Sequence, residues 1–342
     1  MTANILFLGG SLNQTTMMHK IAQQLGGYNC YFTPFYSDGS IGVLAKAGLL
    51  DYTILGGRRR QETLAYLEKH RLPMDLEGKT RTYDMVVIGT DLVIPRNVRS
   101  TRLVMVQEGI TEPEGWAFPL VKKFKLPLFL ANTAATGLSD AYDIFCVASF
   151  GYRDLFASKG VKPEKMVVTG IPNFDSMQSF YENDFPHRDF VLVATTPLRE
   201  SLRPDDRIGF IKFARRVAAG RKLIFKLHPG ENVRRASWEI HRHAPEALIL
   251  TKGDVNAMIA NCQVLITQTS TVTFVGLALG KEVHSYLNLK ALQKLVPIQN
   301  GGTSAVRIAG ICERVLHTPL AELKGAGRPV RSRPKWLEAD GI

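Results

Sequence analysis

The sequence predicts an α/β chain of two doubly wound domains in tandem. Three observations carry this prediction. The 342 residues suffice for two domains at roughly 150 residues each. Short apolar runs alternate with helical patterns over most of the length, as βαβ units and parallel sheets require. Finally, Gly170–Arg188, with its Pro, Asn and Asp residues, separates two such series.

The first series predicts strands at Asn4–Leu8, Tyr28–Phe32, Asp84–Gly89, Leu103–Gln107, Ile144–Val147 and Lys165–Thr169. A helix over Asp154–Gly160 would end at a glycine cap. Gly9–Thr16 reads as the first βα loop, and Arg58-Arg59-Arg60 stands at an apparent helix start. There its cations oppose the helix dipole, which suits either a partner or a solvated turn. The second series predicts strands at Asp189–Ala194, Lys222–Leu227, Ala247–Leu250, Gln263–Thr267 and Glu282–Tyr286. Helices fall between them at Asp205–Ala219, Val233–Arg242, Val255–Asn261 and Ser270–Leu279. Asn300–Ser304 reads as a flexible loop beside the cleft, and the helix Ala305–Val315 after it could pack back across the hinge. The expected division is residues 1–172, 173–318 and a basic, loosely ordered tail, 319–342. Two such sheets are expected to face one another across a ligand-binding cleft at their strand C-terminal edges.

Composition agrees with a globular chain. With 45% hydrophobic, 22% charged and 9% aromatic residues, disordered, collagenous and disulfide-stapled classes are excluded. No run of about 18 uncharged apolar residues is present, so no spanning helix is expected. Met1–Gly10 lacks the basic start and long apolar stretch of a signal peptide and reads as a first strand. Cys30, Cys146, Cys262 and Cys312 lie far apart among apolar residues, with no metal-ligand or redox spacing, and are expected as buried, reduced thiols of a cytoplasmic protein. Against 31 acidic residues stand 43 Lys and Arg, a net charge of +12. Nucleic acid, anionic lipid and phosphorylated substrates are the usual partners of such an excess. No zinc-finger, single-strand-binding or helix-turn-helix signal is found, so nucleic acid is not expected.

Four constellations could carry chemistry. Thr267-Gln268-Thr269-Ser270-Thr271-Val272-Thr273 lies between a strand and an apolar helix, where backbone N–H groups and the hydroxyls of Thr269, Ser270 and Thr271 could hold a phosphate. Simple N-capping is the alternative. Lys226-Leu227-His228-Pro229-Gly230 ends a strand in a turn, which would present His228 to a phosphate oxygen or merely to a turn carbonyl. Glu108, in Val106-Gln107-Glu108-Gly109, suits a general base at a strand terminus, or a solvated loop position. Trp116–Leu130 interleaves aromatics, leucines and lysines, with two prolines preventing one long helix. It could meet an anionic headgroup layer or fold back as a core element.

Taken in order, three strings resemble the end of the first domain in UDP-N-acetylglucosamine 2-epimerases, in CDP-glycerol glycerophosphotransferases and in other GT-B glycosyltransferases. They are Gly137-Leu138-Ser139-Asp140, Gly151-Tyr152-Arg153-Asp154-Leu155-Phe156, and Val167-Val168-Thr169-Gly170-Ile171-Pro172-Asn173-Phe174-Asp175. The later Lys226-Leu227-His228-Pro229 and the helix from Ser270-Thr271 to Leu279-Gly280-Lys281 recur there with similar spacing. The resemblance spans roughly residues 1–318. It implies tandem Rossmann-like domains, a nucleotide-sugar donor in the second domain and a lipid-linked or saccharide acceptor in the first.

Departures from the family pattern separate the reactions. The epimerases carry Thr-x-His-Arg-Arg-Glu-Asn where this chain has Thr195-Thr196-Pro197-Leu198-Arg199-Glu200-Ser201. Pro197 stands in place of that catalytic histidine, and proline cannot move a proton. Val275 stands where many transferases place a ribose-binding glutamate. Thr195–Arg199 resembles the Ala-Pro-Thr-x-Arg loop of the glycerophosphotransferases. The resemblance therefore implies a metal-independent, inverting transferase of surface-polysaccharide or glycolipid synthesis, at the inner face of the membrane. Glu108 would be the base, with Ser270, Thr271 and His228 stabilising the leaving diphosphate and Arg199 or Lys226 adding positive charge. Gly10 and Ser11 would line the acceptor-side loop, and Trp116–Leu130 would meet the anionic membrane surface. No cofactor is expected. An epimerase-like isomerase and a non-catalytic nucleotide-sugar-binding relative are the alternatives.

Overall fold

The computed structural model describes residues 2–51, 53–201 and 203–324. The chain forms two compact units, Met1–Asp175 with Asn300–Ile342, and Ser176–Gln299.

In the first unit the chain runs β1 (Asn4–Gly9), α1 (Leu12–Ala22), β2 (Asn29–Pro34), α2 (Gly39–Lys46), α3 (Gly57–Lys69), β3 (Met85–Ile88), β4 (Arg102–Val106), α4 (Ala117–Phe124), β5 (Ile144–Val147), α5 (Phe150–Lys159) and β6 (Met166–Val168). All six strands are parallel, in the order β2-β1-β3-β4-β5-β6. Strands β3, β5 and β6 are buried at every position, the near-continuous apolar run expected of a parallel sheet covered on both faces. The chain reverses direction across the sheet between β1 and β3, the switch point at which such sheets open a crevice.

The second unit runs β7 (Val191–Ala194), α6 (Arg207–Ala218), β8 (Leu223–Lys226), α7 (Val233–His243), β9 (Leu248–Leu250), α8 (Val255–Asn261), β10 (Val264–Thr267), α9 (Val272–Ala278), β11 (Glu282–His284) and α10 (Leu289–Leu295). Its parallel order, β11-β10-β7-β8-β9, puts the switch point between β7 and β10. Val191, Val193, Phe225, Val264 and Ile266 from the strands pack with Phe210, Ile211, Ala236 and Ile240 from the helices. Both units are Rossmann-like. Every expected strand is present, with no end displaced by more than two residues.

After Gln299 the chain returns to the first unit as α11 (Ser304–His317) and α12 (Leu320–Leu323). This corrects the expected second domain, 173–318. The apolar face of α11, including Ile308, Ala309, Cys312 and Val315, is buried in the first unit, where the Arg102 guanidinium donates to the carbonyls of Val315 and Thr318. The turn expected as a flexible loop is instead tied to Asp175. The N–H groups of Asn300 and Gly301 donate to its carbonyl at 2.9 and 3.1 Å, and that of Ser304 donates to Oδ2 at 2.7 Å. Gly301 and Gly302 have φ of 69° and 87°, which a side chain would resist. Of the expected tail, residues 325–342 lie outside the described residues.

Two further expectations change. The loop read over Gly9–Thr16 is already helical from Leu12, because Ser11 Oγ accepts from the N–H of Gln14 and caps α1. The helix expected from Asp154 starts at Phe150, capped by Ser149. Cys146, Cys262 and Cys312 are buried, whereas Cys30 is half-buried. Among the described residues no helix is long and apolar enough to cross a membrane.

Asp175 is buried, so replacing it by Ala leaves the Ser304 N–H without its carboxylate. Asp175→Ala should cost the first unit about 1–3 kcal/mol. Amide exchange should rise across α11 while the strands of the second unit keep their protection.

Candidate functional site

In the first unit, the crevice at β1 and β3 is organised around Glu108, which follows β4. Ser11 Oγ donates to Glu108 Oε1 at 2.7 Å, and Gln14 Nε2 donates to Oε2 at 2.6 Å. Asn13 Nδ2 donates to the Glu108 carbonyl at 3.2 Å. Three side chains from the first turn of α1 thus orient one half-buried carboxylate. Gly10 belongs to the same arrangement, since its N–H donates to Gln14 Oε1 at 2.7 Å. A Cβ there would lie 2.9 Å from Ile54 and 3.0 Å from that oxygen, so glycine is what lets Gln14 reach both partners. A Cβ at Gly109 would meet nothing within 4 Å, leaving open space beside the carboxylate.

In the second unit, the switch point is built around Asp205, whose carboxylate is fully buried. Arg207 Nε donates to Asp205 Oδ2 at 3.0 Å, Gln268 Nε2 donates to Oδ1 at 2.7 Å, and Arg199 Nε lies 3.3 Å from Oδ2. Arg207 opens α6 and donates from Nη2 to the Thr196 carbonyl at 3.1 Å, and it pairs with Glu231 Oε1 at 2.7 Å. Glu231 in turn accepts from Thr195 Oγ1 and, at 2.9 Å, from the His228 N–H. A buried ion is costly unless paired, and removing one partner of such a pair typically costs about 3–5 kcal/mol. These charges therefore lock the β7 loop, the start of α6, the β8 loop and the end of β10 to one another.

The lock is incompletely satisfied. Six buried side-chain atoms have no hydrogen-bond partner among the described residues: Thr196 Oγ1, Arg199 Nε, Arg207 Nη1, Thr267 Oγ1, Gln268 Oε1 and Thr269 Oγ1. All six belong to the segments that meet at the β7–β10 switch point. Buried polar groups are nearly always paired in native proteins, so these atoms set this end of the second sheet apart.

The residues expected at the donor site are distributed as follows. Arg199 spends its fork on Glu239, donating from Nη1 and Nη2 at 2.7 Å each, so its charge is already met. Lys226 is buried, and desolvation pushes its ammonium pKa down. Its Nζ donates to the carbonyls of Leu227 and Thr251 at 3.0 and 3.3 Å. His228 is exposed, and its Nδ1 accepts from the Gly230 N–H at 3.0 Å, which leaves the proton of the neutral ring on Nε2. Ser270 Oγ accepts from the Val272 N–H at 3.4 Å, while Thr271 makes no side-chain cap. Only Thr269 and Arg199 of this set contribute an unpartnered atom. Val275 is buried at 1% exposure and serves packing. Asp205, Arg207, Glu231, Glu239 and Gln268 carried no expected role, although Gln268 lies within the Thr267–Thr273 string. The available signal was Arg207 at the first position of a helix, where a cation opposes the dipole unless an acid meets it.

No protein-family model matches this chain, and no curated protein matches it in sequence. Solved structures match it along nearly its whole length. The Staphylococcus aureus protein MnaA in complex with UDP superposes with a TM-score of 0.59 at 12% identity, covering 92% of this chain and 97% of that one. UDP-GlcNAc 2-epimerase from Neisseria meningitidis, bound to UDP-GlcNAc, gives 0.53 at 10% identity, covering 92% and 100%. The enzyme from Methanocaldococcus jannaschii gives 0.52 at 12% identity, covering 92% and 100%.

The Arg199–Glu239 pair makes a pH prediction. Two hydrogen bonds from Arg199 hold the Glu239 carboxyl below its usual 4.5. A depressed acid stabilises the fold above its unfolded pKa and loses that contribution as pH falls through the folded value. Glu239→Gln should therefore flatten the loss of stability below pH 4.5 relative to the parent, read by denaturant titration at several pH values. This chain has the tandem Rossmann-like fold, GT-B, that these nucleotide-sugar enzymes share.

Proposed function

We propose that the chain is an enzyme acting on a nucleotide-activated sugar, with the nucleotide diphosphate seated at the β7–β10 switch point of the second unit. The carrying observation is the cluster of six buried, unpartnered polar atoms. The Arg207 Nη1 N–H and the hydroxyls of three threonines are donors suited to phosphate oxygens. Gln268 Oε1 adds an acceptor for a hydroxyl or a base N–H. The structures of similar fold that hold UDP and UDP-GlcNAc support the same ligand class. In the first unit, Glu108 is the proton-accepting group, because its orientation by Ser11 and Gln14 places a carboxylate beside open space at Gly109.

The fold likeness supports C2 epimerisation as the reaction. One local observation favours transfer to a hydroxyl acceptor, as in surface-polysaccharide or glycolipid synthesis. Pro197 stands beside the His228 turn, with its Cβ 3.7 Å from where a Cβ of Gly230 would be. It replaces the histidine that the epimerase pattern requires. Incubation with UDP-GlcNAc in deuterated water separates the two reactions. Epimerisation places deuterium at C2 of the product, while transfer releases UDP only when an acceptor is added.

The donor site is tested by hydroxyl removal with shape preserved. Thr269→Val and Thr196→Val delete an unpartnered buried oxygen, so the unliganded protein should melt at the same temperature or higher. UDP affinity, measured by calorimetry, should fall about tenfold for each, a loss near 1.4 kcal/mol. Unchanged affinity would place the ligand elsewhere. Glu108→Gln should lower turnover at least 100-fold, the range of general-base contributions, while UDP binding stays within twofold. Full turnover in that variant would remove Glu108 from the chemistry.

A further inference from the structure

The segment around α4 in the first unit is built with two apolar faces, only one of which the fold uses. Inward, Phe118 and Val121 are buried against Ala131, Ala134 and Ala135, with Leu128 and Leu138 partly buried around them. Outward, Trp116, Leu120 and Phe124 follow at intervals of four residues and form one stripe. Trp116 is 84% exposed and Phe124 60% exposed. Leu126, Phe129 and Leu130 extend the exposed apolar surface past the helix end. The inner face already supplies the packing this segment needs, so folding alone does not account for the outer one.

Cations accompany that outer face. Lys122, Lys123 and Lys125 are exposed, and the Lys123 ammonium lies 5.5 Å from the centroid of the Phe124 ring. Lys125 closes α4 in the left-handed conformation, with φ of 51° and its N–H donating to Val121. Glycine usually fills that position, so a lysine there keeps a positive charge where backbone ease favours none. The acidic residues stand ahead of the helix. Glu112 and Glu114 are exposed, and Glu114 lies 3.9 Å from the buried ammonium of Lys159, which offsets its charge.

We infer that this face docks on a bilayer surface bearing anionic headgroups. Trp116, Leu120 and Phe124 would enter the headgroup layer, and the three lysines would meet lipid phosphates. Charge decides between occupants. Self-association through the stripe would set two lysine clusters against each other, whereas an anionic surface complements them. Pro119 and Pro127 confine the amphipathic element to two helical turns, too short to span and suited to lying in the interface plane. The inference is independent of the nucleotide reading, because every residue it uses lies in the first unit.

Flotation of the full chain with vesicles tests it, using phosphatidylcholine alone and phosphatidylcholine mixed with phosphatidylglycerol. The parent should float with the mixed vesicles, release on added salt, and show a blue shift of tryptophan emission that Trp116→Phe removes. Lys122→Ala, Lys123→Ala and Lys125→Ala combined should weaken that binding roughly 100-fold. Trp116→Ala with Phe124→Ala should weaken it at least tenfold. These side chains are exposed, so melting temperatures should match the parent and separate lost docking from lost fold. Failure of the parent to bind mixed vesicles, or equal binding by either variant, overturns the inference. So does a parent dimer that the Trp116→Ala, Phe124→Ala variant converts to monomer without any vesicle affinity in the parent.

Discussion

Asp205 is the constraint on which the second unit's functional edge depends. Its buried carboxylate cannot be left alone, and three side chains from separate segments answer it: Arg199 from the β7 loop, Arg207 from the start of α6, and Gln268 from the end of β10. Low local polarity strengthens each contact and penalises each absence. The geometry of the loops is therefore set by charge pairing as much as by apolar packing. Arg207 extends the lock to Glu231, and through Glu231 to the backbone of His228. The unpartnered donors and acceptors beside it sit on loops that this pairing joins to one another.

The two sheet edges divide the chemistry. In the first unit the polar groups of Gly10, Ser11, Gln14 and Glu108 satisfy one another, which yields a single preorientated carboxylate. In the second unit the polar groups outnumber their internal partners. The first arrangement suits moving a proton, and the second suits holding a polyanion. Neither requires Arg199 to carry a free charge, because Glu239 already holds its fork.

The strands were legible in the sequence because parallel strands covered on both faces are short apolar runs bounded by turn residues, as in Ile144–Val147. The helix α1 was hidden because its buried face includes Gln14 and Thr15 as well as Met17, Met18 and Ile21, which blurs the helical period. The return of α11 to the first unit matches the expectation that it pack back across the hinge, although an amphipathic face does not itself record which sheet it covers. Glu108 does lie just past a strand end, as its place in the sequence indicated. The Asp205 cluster was not legible, because single charged residues read as solvated until distant partners meet them. Asp205 and Gln268 are 63 positions apart. Val275, which stands where the transferase pattern has a ribose-binding glutamate, is buried.

The clamp at Asp175 has a consequence for how the protein is made. The second unit leaves and rejoins the chain at adjoining points, with the Asn300 N–H 2.9 Å from the Asp175 carbonyl and Met177 bonded to Gln299. It is thus a contiguous insertion, whereas the first unit needs both ends of the chain. On the ribosome, where domains generally fold as units and N-terminal ones first, that order is inverted here. The inserted unit can complete itself as soon as Gln299 emerges. The first must wait for α11, which packs against α1 and β4, so nascent chains stalled between Gln299 and His317 are the ones most exposed to chaperones.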